Sequence, residues 1–148
     1  EGPLVALWRE PRVTRVALQL QYDQPPERFA IPMPGLVFVC QPGKPPWVWA
    51  TKRRPQSVQD EVYKAPTYNV FASGLNCPGN HRYPMEVEQI PDSFFMAFFS
   101  ATGDWQDRSK RHPKDLRALW QSLDGKSRYP VQDLVQFGTV QNVMGGVR

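Results

Sequence analysis

Cysteine is scarce in this chain: Cys40 and Cys77 are the only two in 148 residues, which excludes the disulfide-dense scaffold of a small secreted domain. Both are expected to be reduced thiols in a cytoplasmic protein. Long apolar runs are also missing. No stretch approaches the roughly 18 residues that a membrane span needs, and Arg9, Glu10, Arg12 and Arg15 interrupt the first thirty residues, where a signal peptide would need an apolar centre. There is no internal repeat, no low-complexity tract and no Gly-rich phosphate loop, so the nucleotide-binding reading loses its main support. Charge of one sign is not in large excess either. Eighteen Lys and Arg against fourteen Asp and Glu leave +4, a mildly basic balance that names no partner. The chain begins with Glu1 rather than Met, as a fragment or trimmed chain would, which leaves room for a missing N-terminal segment.

What is present suits one compact domain, residues 1–148. Hydrophobic residues make up 41%, enough for a core. The 16 prolines run from Pro3 to Pro130 and predict many short elements separated by rigid loops rather than one disordered tract. Val13 to Tyr22 reads as a strand ended by Gln24-Pro25-Pro26. Leu36 to Gln41 and Trp47 to Lys52, joined by the Pro/Gly loop 42–46, read as an antiparallel pair. The second half turns helical. Pro91 suits a first turn, and Phe94, Phe95, Phe98 and Phe99 would share one helical face against the sheet. A second helix is expected from Pro113, with Leu116, Leu119, Trp120 and Leu123 on one side, stopping at Asp124-Gly125. A short third helix is expected from Pro130, and Met144 to Arg148 reads as a flexible end. Strands followed by helices predict an α+β domain, an antiparallel β-meander with helices packed on one face.

The stretch Ala65 to Gly79 (APTYNVFASGLNCPG) joins the two halves. It is too polar and turn-rich for a core element, and it holds Cys77. A nucleophilic cysteine needs an accessible site and a group to stabilise the oxyanion formed when a thioester is attacked; a side-chain amide does this without titrating. Asn69 is the candidate. Gly74 would allow a turn with positive φ that folds the loop back and brings residues 69 and 77 together.

The spacing Asn69-x4-Gly74-x2-Cys77 resembles that of ubiquitin-conjugating enzymes, in which a His-Pro-Asn tripeptide precedes the glycine and the catalytic cysteine. The wider text, "PMPGLVFVCQPGKPPWVWATKRRP", "APTYNVFASGLNCPGNHRYP", "SFFMAFFSATGD" and "LRALWQSLDGKSRYP", is similar to the PRTRC system protein B family of bacterial ubiquitin-conjugating-enzyme-like proteins, over about Pro32 to Pro130. Thr67 and Tyr68 stand where the eukaryotic pattern has His and Pro, and Pro78 stands where it has Leu. The long N-terminal helix on which eukaryotic relatives dock their partners is not evident. The resemblance implies the ubiquitin-conjugating fold. It further implies that Cys77 takes a ubiquitin-like protein from a ThiF-like activating enzyme as a thioester and yields it to an amine, with no cofactor. Asn69 would stabilise the oxyanion or brace the loop. Asp104, in Ser100-Ala101-Thr102-Gly103-Asp104, would be the gate-loop acid that positions the acceptor amine, and Tyr68 would line the same cleft.

Plainer readings stand beside these. Cys77 could be an inert thiol in a non-catalytic module of the same fold that binds a ubiquitin-like protein or its activating enzyme. Cys40, within the apolar run LVFVCQ, is expected in the core. Asn69 could serve only a turn, and Asp104 only a cap or surface loop. Cys77, His81, Cys40 and His112 lack the second close pair of a zinc site, so no metal is expected. Lys52-Arg53-Arg54 and Arg108 to His112 are expected to be solvated faces. Direct nucleic-acid binding is the third reading.

Overall fold

The structure, a computed structural model, describes residues 2–147. Five strands, β1 (Val5–Arg9), β4 (Gly35–Cys40), β5 (Trp47–Thr51), β6 (Glu61–Lys64) and β8 (Gln136–Thr139), form an antiparallel sheet in the order β1-β4-β5-β6-β8. A smaller sheet holds β3 (Glu27–Met33), β2 (Arg12–Leu18) and β7 (Phe98–Phe99) in that order, with β2 antiparallel to β3 and parallel to β7. Three helices follow, α1 (Ile90–Met96), α2 (Leu116–Leu123) and α3 (Val140–Gly146). The architecture is α+β, as expected. The β4–β5 pair is present, with Leu36 opposite Ala50 and Phe38 opposite Val48.

The run LVFVC is apolar throughout because both faces of β4 are covered. Leu36, Phe38 and Cys40 point into the main core with α1 and α2, and Val37 and Val39 into a second core. In the main core Phe38 meets Phe94 edge-on at 5.6 Å between ring centres, and Phe99 meets Trp120 in the same way at 5.5 Å. The buried Trp120 indole keeps a partner, donating to the carbonyl of Pro66 at 2.9 Å. In the second core Trp49 and Val62 pack with Val143 and Val147. α1 and α2 therefore lie on one face of the larger sheet, and α3 covers the other.

Several local expectations change. The Phe-rich helix ends at Met96, where Ala97 turns extended (ψ 153°), and Phe98-Phe99 become a strand. Tertiary partners favour this: the Phe99 carbonyl accepts from the backbone N–H of Gln19 at 2.8 Å. The first expected strand stops at Leu18, short of Tyr22. α2 begins at Leu116 rather than Pro113, because the Asp115 carboxylate caps it by accepting from the N–H of Ala118 at 3.0 Å. The helix expected to start at Pro130 is a single 3-10 turn, Val131–Asp133. The expected flexible end is helical to Gly146, with Val147 buried; Arg148 lies outside the described residues. The signal for α3 was there in Val140, Val143, Met144 and Val147, spaced i, i+3, i+4, i+7 behind a Thr139 and Asn142 capping box.

Candidate functional site

The segment after β6 doubles back on itself. Val70 and Asn76 form an antiparallel bridge, the N–H of Phe71 donates to Leu75 at 2.8 Å, and that of Gly74 to Phe71 at 2.9 Å. One pair further out, the N–H of Cys77 donates to the carbonyl of Asn69 at 2.7 Å. β5 holds the hairpin in place: Leu75 bridges Trp47, and the carbonyl of Gly74 accepts from Val48 at 2.8 Å. Gly74 has φ +94°, and a β-carbon there would sit 2.6 Å from the Trp49 ring. Only glycine combines that backbone conformation with so close an approach.

Asn69 is buried and has φ +64°, a left-handed conformation that asparagine tolerates better than most residues. Its side-chain amide behaves like an extra peptide group along the free edge of β7. Nδ2 donates to the carbonyl of Phe98 at 3.0 Å, while Oδ1 accepts from the N–H of Ser100 at 3.1 Å and the hydroxyl of Thr102 at 2.9 Å. The N–H of Asn69 donates to the carbonyl of Thr102 at 3.2 Å. One residue thus ties the cysteine hairpin to loop 100–104.

Cys77 is half-buried and lines a cleft of about 520 Å³, whose walls also include Asn69, His81, Phe98, Ser100 and Thr102. The ring of His81 is held edge-on to Tyr83 and pairs through Nε2 with the hydroxyl of Ser93 at 2.9 Å. Cys40 is wholly buried in β4, and burial pushes its thiol up to about 12. The two thiols therefore occupy opposite environments: one faces an open cleft, the other is held protonated by the core. Among the described residues, no group of three or more His, Cys, Asp and Glu could hold a metal.

Asn69, Gly74 and Cys77 are brought together; Asp104 and Tyr68 lie apart from them. Asp104 is exposed and outside the cleft wall, its N–H donating to the carbonyl of Val70 at 2.8 Å. From its loop it is Ser100 and Thr102 that reach the cleft. Tyr68 is buried against Trp120, with ring centres 5.2 Å apart, and burial pushes its phenol up to about 12.

Two supports escaped the sequence reading. Arg108, in what looked like a solvated basic run, is buried, and its guanidinium donates to the carbonyls of Ala65, Val70, Phe71 and Asp104 at 2.6 to 3.2 Å. Burial pulls its pKa down to about 10, with the Asp104 carboxylate opposing. Nothing in RSKRH distinguishes it from the exposed Lys110 and Arg111. Buried Asn76 donates to the carbonyl of Asn69 at 2.8 Å and accepts from the hydroxyl of Tyr83 at 2.7 Å, so a side chain supports the hairpin from beneath.

This α+β fold, with a cysteine hairpin between sheet and helices, is of the ubiquitin-conjugating type. The chain belongs to prokaryotic E2 family D, whose family model matches residues 1–137. This is a ubiquitin-conjugating-like family, a class of transferase whose general partners are ubiquitin-like proteins and their activating enzymes. No curated protein and no solved structure matches the chain. No helix among the described residues is long and apolar enough to cross a membrane.

Proposed function

We propose that this protein carries a ubiquitin-like protein as a thioester on Cys77, receiving it from a ThiF-like activating enzyme and passing it to an amine. The observation that carries this reading is the contrast between the two thiols: Cys77 faces the cleft, pinned by its own N–H to Asn69, whereas Cys40 is sealed in the core. The Cys77 thiolate attacks the thioester carbonyl on the activating enzyme. A new C–S bond forms, and the donor cysteine leaves as its thiolate. An amine then attacks the same carbonyl, the amide forms, the Cys77 thiolate leaves, and the proton lost from the amine passes to solvent.

We assign Asn69 a bracing role, since its amide is spent on Phe98, Ser100 and Thr102. The gate is assigned to loop 100–104, with Ser100 and Thr102 at the cleft and Asp104 at its outer end. Within the family, the text similarity of Pro32 to Pro130 favours the PRTRC system protein B branch and a cytoplasmic setting.

The test is a thioester trap with the ThiF-like enzyme, the ubiquitin-like partner and ATP, comparing wild type with Cys77→Ala on reducing and non-reducing gels. A reductant-sensitive adduct lost in Cys77→Ala is expected. Absence of the adduct with the activating enzyme itself charged would overturn the carrier role in favour of a non-catalytic binding module.

A further inference from the structure

The smaller sheet buries one face in the main core; on the other, Arg15, Arg28 and Phe98 are exposed, Ala30 is half-buried and Ala17 is buried. Val16, Leu18, Phe29, Ile31 and Phe99 point into the main core. By the two-residue alternation of strands, Arg15, Ala17, Arg28, Ala30 and Phe98 point outward. The register arranges them in two rows: Arg28, Ala17 and Phe98 lie side by side across three strands, and Arg15 lies opposite Ala30. The result is a shallow trough of about 550 Å³ with an alanine floor, two guanidiniums at its sides, and Phe98 and Met96 at one end. Phe98 is 53% exposed and Met96 78%. Both also line the Cys77 cleft, so trough and cleft adjoin across these two side chains.

Three features decide what fits. Both edges of the small sheet are closed at this point: the Asn69 amide occupies the β7 edge, while Ala30 on β3 donates to the Asp124 carboxylate at 2.8 Å and accepts from the N–H of Gly125 at 3.0 Å. Strand addition is therefore blocked, and only the face is open. Neither Arg15 nor Arg28 has an ion pair among the described residues, and the one carboxylate at the rim, Asp124, is engaged with backbone. The trough thus pairs an excess of positive charge, two guanidiniums without ion-pair partners against the single Asp124 carboxylate, with exposed apolar side chains, which complements a segment that alternates acidic and apolar residues.

We infer that this trough docks the acceptor: an acidic, apolar-containing segment beside the lysine that receives the carried protein, held so that the lysine reaches Cys77 across Met96 and Phe98. The inference rests on the carrier reading for its meaning but not for its binding test.

The probe is a short synthetic peptide with one lysine flanked by alternating leucine and glutamate, titrated into isotope-labelled protein by NMR beside a copy with every glutamate replaced by glutamine. Amide shifts are expected to centre on Ala17, Ala30 and Phe98 and to weaken as salt rises. Binding should fall about tenfold in an Arg15→Glu/Arg28→Glu variant whose melting temperature is unchanged. Shifts centred elsewhere, or equal binding of the glutamine peptide, would overturn the proposal. So would the same shifts from a short single-stranded oligonucleotide with none from the glutamate peptide. In the charged system the double variant should slow discharge to the glutamate peptide about tenfold and leave thioester formation and discharge to free lysine unchanged. A protein that binds the peptide here but never forms the thioester would sink the carrier reading and leave the surface standing.

Discussion

Cys77 and Asn69 face each other across a hairpin, the cysteine N–H on the asparagine carbonyl at 2.7 Å, while the asparagine amide reaches the other way to hold Phe98, Ser100 and Thr102. The position of the thiol and that of the loop across the cleft are thereby coupled through a single residue.

The first consequence concerns thiol reactivity. Native protein treated with an alkylating reagent should be labelled at Cys77 at least about tenfold faster than at Cys40, because the thiolate is the nucleophile and burial holds the Cys40 thiol protonated. Peptide mass spectrometry measures both sites in one sample; equal rates would show that Cys77 is shielded in solution.

The second separates backbone from side chain at residue 69. Asn69→Gly keeps the left-handed backbone without strain but removes the amide, leaving the carbonyl of Phe98 and the N–H of Ser100 without it. Such losses cost about 1–3 kcal/mol. Transfer from Cys77 to an amine should slow in this variant while the domain stays folded. A large fall in melting temperature with unchanged transfer would make Asn69 purely structural.

The third compares two glycines in the same conformational region. Gly74→Ala adds a collision with the Trp49 ring to backbone strain and should cost about 2–5 kcal/mol. Gly79→Ala, at φ +54° with open space around it, should cost only about 1–2 kcal/mol. Denaturant unfolding of the two variants decides; equal costs would mean that the Trp49 contact contributes nothing.

The fourth uses the basic run. Arg108→Met strips four backbone carbonyls of a charged donor and should cost roughly 3 kcal/mol or more, with faster hydrogen exchange at Asp104 and Cys77. Lys110→Met, on an exposed neighbour, should stay within about 0.5 kcal/mol of wild type. Similar small effects from both would remove Arg108 from the support of the site.

The fifth is a pH dependence. The thiol of Cys40 rises from its ordinary 9.0 to about 12 on folding, so the folded state keeps a proton that the unfolded chain releases. Its contribution is fully present below about pH 9 and is lost as pH climbs toward 12. It is the first of the raised groups to act. As pH nears 10 the buried phenols of Tyr68, Tyr83 and Tyr129, raised chiefly by burial, add to the loss. Arg9 and Arg108, lowered to about 10 chiefly by burial, oppose it because the folded state then releases its protons first. Thermal unfolding should therefore show melting temperature falling from pH 8.5 to 10, and a Cys40→Ala variant should flatten that fall. An unchanged slope would mean that Cys40 is not the group responsible.

What the sequence by itself determined about this protein was what short-range chemistry can dictate. The buried β4–β5 pair was legible because LVFVC and WVWAT are dense in apolar and branched side chains on either side of a Pro/Gly loop. The apolar stripe of α2 was legible because 3.6-residue periodicity places its leucines and Trp120 on one side. The meeting of residues 69 and 77 could be anticipated from a glycine placed to turn the chain between them. Tertiary structure alone decided the rest, wherever a distant partner outweighed a local preference. Phe98 and Phe99 fit a helical pattern, yet β2 and the Asn69 amide offer their backbone better partners as a strand. Arg108 stands among solvated cations in the sequence, but four carbonyls gathered from two separate segments draw it inside. Periodicity does not encode the distant partners among these, because they become adjacent only once the chain has closed around its core.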